Sequence, residues 1–508
     1  MYAKKLQYWL GKATTLRPLQ PQWKIFLYCF SLNAAILVGF SSFALAQDAS
    51  TSVVKETALV PSLPTGNIEA QPSLAPATTS DGTEIARYPA EQLALKLREL
   101  ETRLESLKTT TASLSYTNKG LWKLEVGGSG EFSFTYHNFG PDQTQEGGAR
   151  PDHRLVFDTT RFVVDLEGKM PYGIEFEAEI EIEHGGTGSA LELEFEEFGE
   201  FEMEVEKGGE VVLEELYLEK KFGDRVAVLA GRFNVALGTL SKNHRPTDFY
   251  GTARPESETR VIPAVWDEMG VELHYKHPWF RATAQVVNGL DSTGFSSQQW
   301  IASGKQQRFE LVSATDLAFV ARIDIVGFEG IVFGASTYIS PNTTNNRPKP
   351  DLENVSAPLL LSSAHIRIDL APIRARSSIV WGHLWKAARI SDRNRRLSNN
   401  LDVLRTPVAD EAISLWAELG INLFHFAESI SPLHQLEPFL RAEYYDTMFR
   451  VDADIFDNPR FKRTLLSVGI NYTFNNSIVT KFDWTHRRLG SKAFRKENTL
   501  SLSAGFIF

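Results

Sequence analysis

The sequence predicts an all-β fold, a transmembrane antiparallel β-barrel of about 16 strands, preceded by a short N-terminal α-helical coiled coil. Three observations predict this fold. The chain begins with an export signal and has no long apolar run after it. From residue 121 onward apolar and polar residues alternate with a period of two, and short turns alternate with long polar stretches. A barrel strand exposes only every second side chain to lipid, so the chain lacks the continuous apolar segments of helical membrane proteins.

Residues 1–46 are predicted to be a signal peptide. The first 24 residues carry five basic side chains and no acidic one, an apolar segment follows, and Ala44-Leu45-Ala46 forms a small-x-small cleavage site. An uncleaved membrane anchor is the alternative interpretation. The single cysteine, Cys29, lies inside this peptide. We therefore expect a mature protein without thiols or disulfides.

The mature chain is predicted to be strongly acidic. Loss of five of the 53 basic residues with the signal peptide leaves 48 against 63 acidic residues, a formal net charge of about −15. This excess of negative charge argues against a nucleic-acid partner. No segment after residue 46 approaches the roughly 18 uninterrupted apolar residues that a membrane-spanning helix needs.

Two segments are predicted to precede the barrel. Residues 47–89, rich in Ser, Thr, Pro and Ala, form a disordered periplasmic linker. Residues 90–115 form a short coiled-coil helix, because leucines recur at alternating spacings of four and three. The seam consists of Leu93, Leu97, Leu100, Leu104 and Leu107. About two and a half heptads are too short to hold an oligomer alone, and a single amphipathic helix is the alternative.

Residues 120–508 are predicted to form the barrel. Apolar residues and glutamates alternate without interruption in IEFEAEIEIE (174–183), and later segments repeat the pattern more loosely. Short turns are predicted at 168–173, 223–224, 276–278, 326–328, 371–372 and 475–477, and long loops at 137–152, 184–209, 236–265, 290–313, 339–357, 389–408 and 448–460. Tight periplasmic turns and longer outer loops are typical of outer-membrane barrels. An even strand number lets the last strand pair with the first.

The C-terminal segment KENTLSLSAGFIF is predicted to be the closing strand. Its outer face carries Leu500, Leu502, Ala504, Phe506 and Phe508. A terminal aromatic residue suits the membrane interface, and Phe508 resembles the signal by which the barrel-assembly machinery receives such chains. A soluble edge strand is the alternative. The predicted location is the outer membrane of a Gram-negative-type bacterium, in contact with lipid and lipopolysaccharide, with the N-terminal segment in the periplasm.

A barrel of this width encloses water, so residues that narrow it are candidate functional residues. The Pro- and Gly-rich segment at about 236–265 is longer than a hairpin needs and is predicted to fold inward as a constriction. Its basic residues either bind phosphate or carboxylate groups or pair with nearby acids. The candidates in and around it are Arg232, Lys242, His244, Arg245, Arg254, Arg260 and Glu268.

A second candidate set is acidic: Glu175, Glu177, Glu179 and Glu181. These carboxylates must face water, because a charge facing lipid is costly. They line the lumen and favour cations, or belong to an extracellular hairpin that binds divalent metal with lipopolysaccharide, or form a solvated face. No calcium-loop spacing or catalytic motif is present. The sequence thus predicts no metal site, no cofactor and no catalytic residue; an outer-membrane enzyme or adhesion protein using the barrel as a scaffold is the alternative.

One segment carries a family resemblance. It consists of Glu214, Glu215 and Tyr217, then Gly231, Arg232, Phe233 and Gly238, then Asn243, His244, Arg254 and Pro255, and finally Ile262, Pro263, Trp266, Glu268 and Gly270. This pattern resembles bacterial outer-membrane porins related to the phosphate-selective porin O/P family. The resemblance implies a passive channel for small ions or anionic solutes such as phosphate, a homotrimeric assembly, and a loop that lines the narrowest part.

Overall fold

Sixteen strands of the computed structural model form one barrel. The structure describes residues 116–118, 122–140, 151–186, 192–194, 202–204, 209–241, 243–306, 313–344, 352, 354–396, 406–427 and 429–508. The strands are β1 (Trp122–Phe139), β2 (Pro151–Met170), β3 (Ile174–Glu183), β4 (Glu210–Phe222), β5 (Val226–Asn234), β6 (Asp267–Lys276), β7 (Phe280–Asn288), β8 (Leu317–Phe328), β9 (Ile331–Ser340), β10 (Leu359–Leu370), β11 (Ile373–Leu384), β12 (Glu411–Ile421), β13 (His434–Arg450), β14 (Lys462–Phe474), β15 (Ile478–Leu489) and β16 (Glu497–Ile507).

The remaining elements are small. The helices are α1 (Glu256–Val261) and α2 (Ala387–Asn394), a short strand at Tyr116–Asn118 pairs with β1, and Glu192–Glu194 pairs with Glu202–Glu204 as a separate hairpin. In the described ranges, no helix has the length and apolar character needed to cross a bilayer. The predicted signal peptide, linker and coiled-coil helix lie outside the described residues, as does Lys242.

The sheet closes on itself. Each strand pairs antiparallel with the next, and β16 pairs back with β1 from Thr499 opposite His137 to Ile507 opposite Ser129. Gly128 and Phe508 exchange two backbone hydrogen bonds, of 3.1 and 3.0 Å. Closure pairs the edges of the sheet, so its N–H and C=O groups find partners within the chain. The all-β fold and the count of about 16 strands are confirmed.

The two ends of the barrel carry connections of different length. At one end they are 171–173, 223–225, 277–279, 329–330, 371–372 and 475–477, each of two or three residues, and 422–433, which has 12. At the other end they are 140–150, 184–209, 235–266, 289–316, 341–358, 385–410, 451–461 and 490–496, all of seven residues or more. Because neighbouring strands are antiparallel, all turns of two or three residues lie at one end, and we call the connections at the other end the long connections.

The outer face of the barrel is an apolar belt. Along β15 and β16, large apolar residues such as Phe482 and Leu502 are exposed, whereas their neighbours Asp483 and Ser503 are buried on the inner face. Phe482 and Leu502 are also direct neighbours across the two strands. Exposed apolar residues on successive strands form a continuous surface, which suits lipid and not water.

The apolar core lies at the end of the barrel that carries the long connections. Trp300, Ile390 and Leu384 are fully buried there, and the rings of Trp266 and Tyr338 are 4.9 Å apart between centroids. Except for Ala227 and Leu229 on β5, core residues on the strands come from the strand halves next to the long connections. The described parts of these connections therefore pack into their own end of the barrel.

We expect Leu502→Arg to destabilise the folded barrel in lipid vesicles far more than Leu502→Met. Arginine on a lipid-facing position costs about 2–4 kcal/mol near the bilayer midplane, while a Leu-to-Met exchange conserves volume and usually costs less than about 1.5 kcal/mol. Denaturant titration of the two variants, followed by tryptophan fluorescence, measures the difference. Equal unfolding midpoints would place Leu502 away from lipid.

Candidate functional site

The connection between β5 and β6, residues 235–266, runs through the inside of the barrel. On β13, Glu437 accepts a hydrogen bond of 2.7 Å from the Tyr250 hydroxyl, and on β3, Glu179 lies 2.9 Å from Nε2 of His244. Both partners are buried residues of the inner strand face. A segment that reaches the inner faces of strands so far apart around a closed barrel must cross the lumen. We call residues 235–266 the lumen loop.

Helix α1 anchors the lumen loop by its first residue. The Glu256 carboxylate accepts hydrogen bonds from Tyr445 Oη at 2.5 Å and from Arg487 Nε at 3.0 Å, and Arg463 Nη1 lies at 3.4 Å. Burial alone would raise the pKa of Glu256, but Arg487, Arg260 and Arg463 lower it well below its usual value. Glu256 is therefore a carboxylate at any physiological pH and holds three strands to one helix.

The beginning of the lumen loop is fixed by Glu258. Its carboxylate accepts hydrogen bonds from the backbone N–H of Thr239 at 2.6 Å and of Leu240 at 3.0 Å, and from the Trp416 indole at 2.8 Å. Gly238 has a φ of +69°, and a Cβ there would lie 2.5 Å from Glu258 Oε1. Only glycine satisfies both the left-handed backbone and the close approach.

Aromatic residues fix the middle of the lumen loop. The Arg374 guanidinium lies 4.4 Å from the Tyr250 ring centroid, donates from Nε to the Tyr250 hydroxyl at 2.9 Å and pairs with Glu437 at 2.9 Å. The Lys481 ammonium lies 3.7 Å from the Phe249 ring centroid. These cation–π contacts inside the barrel are stronger than exposed ones because both partners are largely removed from water.

The predicted acidic set lies on the inner face of β3, and each member has a partner. Lys221 Nζ pairs with Glu175 at 2.5 Å, the Tyr217 hydroxyl donates to Glu177, and His244 contacts Glu179. Glu181 lies 3.4 Å from Arg161 and 3.9 Å from Arg254 of the lumen loop. These glutamates therefore form an acidic wall, braced by cations from the barrel and the loop. The Glu192–Glu204 hairpin lies in the connection beyond this strand.

His244 joins the lumen loop to the acidic wall. Its Nδ1 lies 2.9 Å from the carbonyl oxygen of Ser241, and its Nε2 lies 2.9 Å from a Glu179 oxygen. Burial alone would lower the pKa of His244, but the hydrogen bond and the charge of Glu179 raise it above the usual value.

A cavity of about 240 Å³ lies on the other side of the lumen loop. Its charged lining residues are Arg281, Arg322, Arg367 and Arg376 from the barrel wall, and Asp248, Asp324 and Glu418. Two of the three carboxylates have cations, since Asp324 pairs with Arg322 at 2.9 Å and Glu418 with Arg441 at 2.9 Å, while Asp248 accepts a hydrogen bond from the backbone N–H of Arg245 at 3.1 Å. In the described part of the chain, Arg281 and Arg376 have no carboxylate within 4.0 Å. We call this space the arginine cavity.

The other predicted site residues brace the loop in different ways. Arg232 is 2% exposed and pairs with Asp267, and Glu268 is 2% exposed and accepts a hydrogen bond of 3.1 Å from the Trp266 indole. Arg245 lies 3.3 Å from Asp165 on β2. Arg260 sits in α1, whose neighbour Glu256 it stabilises electrostatically. Arg232 and Glu268 thus do not face open space.

Sequence reasoning missed the arginines of the barrel wall. Arg367 and Arg376 lie in the segment IRIDLAPIRARSS, where arginines alternate with apolar or small residues as glutamates do on β3. The period-two rule applied there would place Arg367, Arg374 and Arg376 on one face. No pattern reveals that Arg374 is neutralised by Glu437 of a strand that is distant in sequence.

Comparison with known proteins yields distant likenesses. No family model matches the chain. An uncharacterized protein of Aquifex aeolicus (strain VF5) is 27% identical over 219 residues, 43% of this chain and 44% of that protein, so the chain spans less than half the length of this relative.

Similar solved structures include the anion-selective porin from Comamonas acidovorans (TM-score 0.46, 7% identity, 76% of this chain and 100% of that one). The outer membrane channel DcaP of Acinetobacter baumannii has a TM-score of 0.47 and 13% identity over 77% of this chain and 99% of that one. OmpF of Salmonella typhi, in complex with daunomycin, has a TM-score of 0.46 and 10% identity over 78% and 100%.

We expect Glu256→Gln to loosen the lumen loop and to lower the free energy of unfolding by up to about 3–5 kcal/mol at neutral pH, because it removes the carboxylate that two buried guanidinium groups share. Arg487 keeps its contact of 3.1 Å with Glu497. The pKa of Glu256 is lowered by folding, so its stabilisation is present above about pH 4.3 and lost as pH falls further. Denaturant titration at pH 7 and pH 3 measures both effects. Thr259→Ala, on the same helix, is the control; equal effects would refute the anchor.

Proposed function

We propose that this protein is an outer-membrane channel through which small hydrophilic solutes diffuse passively, with a preference for anions. The observation that carries the proposal is the arginine cavity, which lies inside a closed barrel between the lumen loop and the wall. Its volume of about 240 Å³ accommodates several water molecules. A small hydrated ion therefore has room beside the loop.

The placement of charge supports the anion preference. Arg281 and Arg376 offer guanidinium donors that no described carboxylate occupies, and such donors match the oxygens of phosphate and carboxylate groups. The lumen loop acts as a partition, because Asn243 lines the arginine cavity while the next residue, His244, contacts the acidic wall. A solute in the cavity is thus shielded from the glutamates of β3.

The assembly is part of the same proposal. The export signal, the apolar belt and the terminal Phe508 support insertion into the outer membrane by the barrel-assembly machinery, beside lipid and lipopolysaccharide. The leucine seam at 90–115 supports a periplasmic coiled coil that sets the register of a homotrimer. Phosphate is the candidate solute that the family resemblance offers.

Purified protein in a planar bilayer tests the proposal. We expect the current to rise in discrete conductance steps. In a salt gradient, the sign of the reversal potential should show that anions are more permeant than cations, and the measurement is made with chloride and with phosphate. Absence of conductance steps from a folded barrel would overturn the proposal. A hydrolytic activity that is lost on substituting one serine or histidine would favour the scaffold enzyme instead.

We expect the double variant Arg281→Glu and Arg376→Glu to shift the permeability ratio toward cations by at least fivefold. One unit charge at about 4 Å changes the energy of an ion by about 1 kcal/mol in water, roughly a fivefold change in its local concentration. The matched control is Arg396→Glu, an exposed arginine outside the cavity. An unchanged reversal potential in the double variant, or an equal shift in the control, would contradict the assignment of the arginine cavity.

A further inference from the structure

Three side chains that can bind metal meet where the lumen loop touches the acidic wall. Glu179 on β3, Glu214 on β4 and His244 of the loop each offer one ligand atom, and these atoms all lie within 4.8 Å of one another. All three side chains are buried. The cluster lies across the lumen loop from the arginine cavity and is independent of it.

A β-bulge directs Glu214 into this cluster. Glu179 is opposite Glu215, but the next pair is Ile180 with Leu213, so Glu214 is the extra residue of β4. As a result Glu214 and Glu215 are both buried, although consecutive residues of a regular strand face opposite sides. Bulges of this kind reorient a side chain and are over-represented next to active sites.

One oxygen of the Glu214 carboxylate is without a hydrogen-bond partner. Its Oε2 atom is buried without a hydrogen-bond partner in the described part of the chain, and the side chain is only 3% exposed. Glu179 and Glu181 both lie close enough to repel it. Buried like charges at this separation need a shared proton or a cation between them.

His244 is oriented as a metal ligand is. The Ser241 carbonyl can only accept, so Nδ1 carries a hydrogen, and Nε2 faces Glu179 at 2.9 Å. Nε2 donates to that carboxylate while no ion is bound, and an ion that displaces its proton would be bound by the Nε2 lone pair. Such a bond from the other ring nitrogen to a backbone carbonyl is the usual support of a ligating histidine. Two ligands at about 2.1 Å from a tetrahedral ion are about 3.4 Å apart, so the 2.9 Å between Nε2 and Glu179 Oε1 has to widen by roughly 0.5 Å when an ion replaces the proton between them.

We propose that Glu179, Glu214 and His244 bind a divalent transition metal ion of the zinc class, which fastens the lumen loop to the barrel wall. One imidazole nitrogen and two carboxylates suit zinc and its neighbours in the first transition series. Arg161, a cation that interacts electrostatically with Glu214, is held by Glu131 at 2.8 Å and Glu181 at 3.4 Å. Its charge is thus neutralised within the wall.

Zinc binding to the purified, detergent-solubilised full chain tests this site. We expect isothermal titration with Zn²⁺ to show one tight site that weakens at least tenfold in Glu214→Gln and in His244→Asn. Both substitutions keep the approximate side-chain size, and Glu214 Oε2 has no bond to lose. Co²⁺ as a second probe should give a visible absorption spectrum in the wild type that changes in His244→Asn.

Glu183→Gln is the matched control, since Glu183 belongs to the same strand and the same inner face but not to the cluster. It should bind Zn²⁺ as the wild type does. Wild-type affinity in both cluster variants would show adventitious binding to acidic side chains and overturn the proposal. Absence of binding by the wild type, with its fold verified by circular dichroism, would mean that a proton bridges the cluster, and would overturn it equally.

Discussion

Closure of the antiparallel sheet is the constraint on which the rest of this structure depends. Pairing of β16 with β1 gives the backbone of each strand partners on both sides, and it does so with the last residue, Phe508, bonded to Gly128. Once the sheet is closed, every strand has one face toward the lumen and one toward the surroundings. The period of two in the sequence thereby becomes a division between polar and apolar environments.

Closure also creates a space too wide for the wall's own side chains to fill. The lumen loop occupies part of this space. It is held mostly by ionic and aromatic contacts, such as Glu256 with Arg487 and Arg374 with Tyr250. Buried ion pairs add little net stability relative to an apolar core, but they are directional. They fix the loop in one position while leaving the surrounding surfaces polar, as a wet lumen requires.

The sequence predicted the barrel well and its interior less well, for a physical reason. The alternation of apolar and polar residues and the lengths of the turns involve only residues that are close in sequence. They were therefore enough to predict a closed sheet of about 16 strands. Partners inside a barrel come from distant segments: Glu256 binds Arg487, and a bulge at Glu214 turns a side chain that the simple alternation would place outside. Arg232 illustrates the same limit, because the sequence left open whether it binds solutes or pairs with an acid, and its partner Asp267 lies on the neighbouring strand β6.

The lumen loop explains how opposite charges coexist in one barrel. An acidic wall and a basic wall facing each other across water would neutralise one another's field. Here Asn243 and His244, adjacent in sequence, face the two walls in turn. Most carboxylates of the acidic wall are paired with cations of the loop or the barrel. The negative electrostatic potential that they produce in the arginine cavity is therefore weak. In the channel proposed above, Arg281 and Arg376 are the lining residues expected to set the charge that a solute beside the loop experiences.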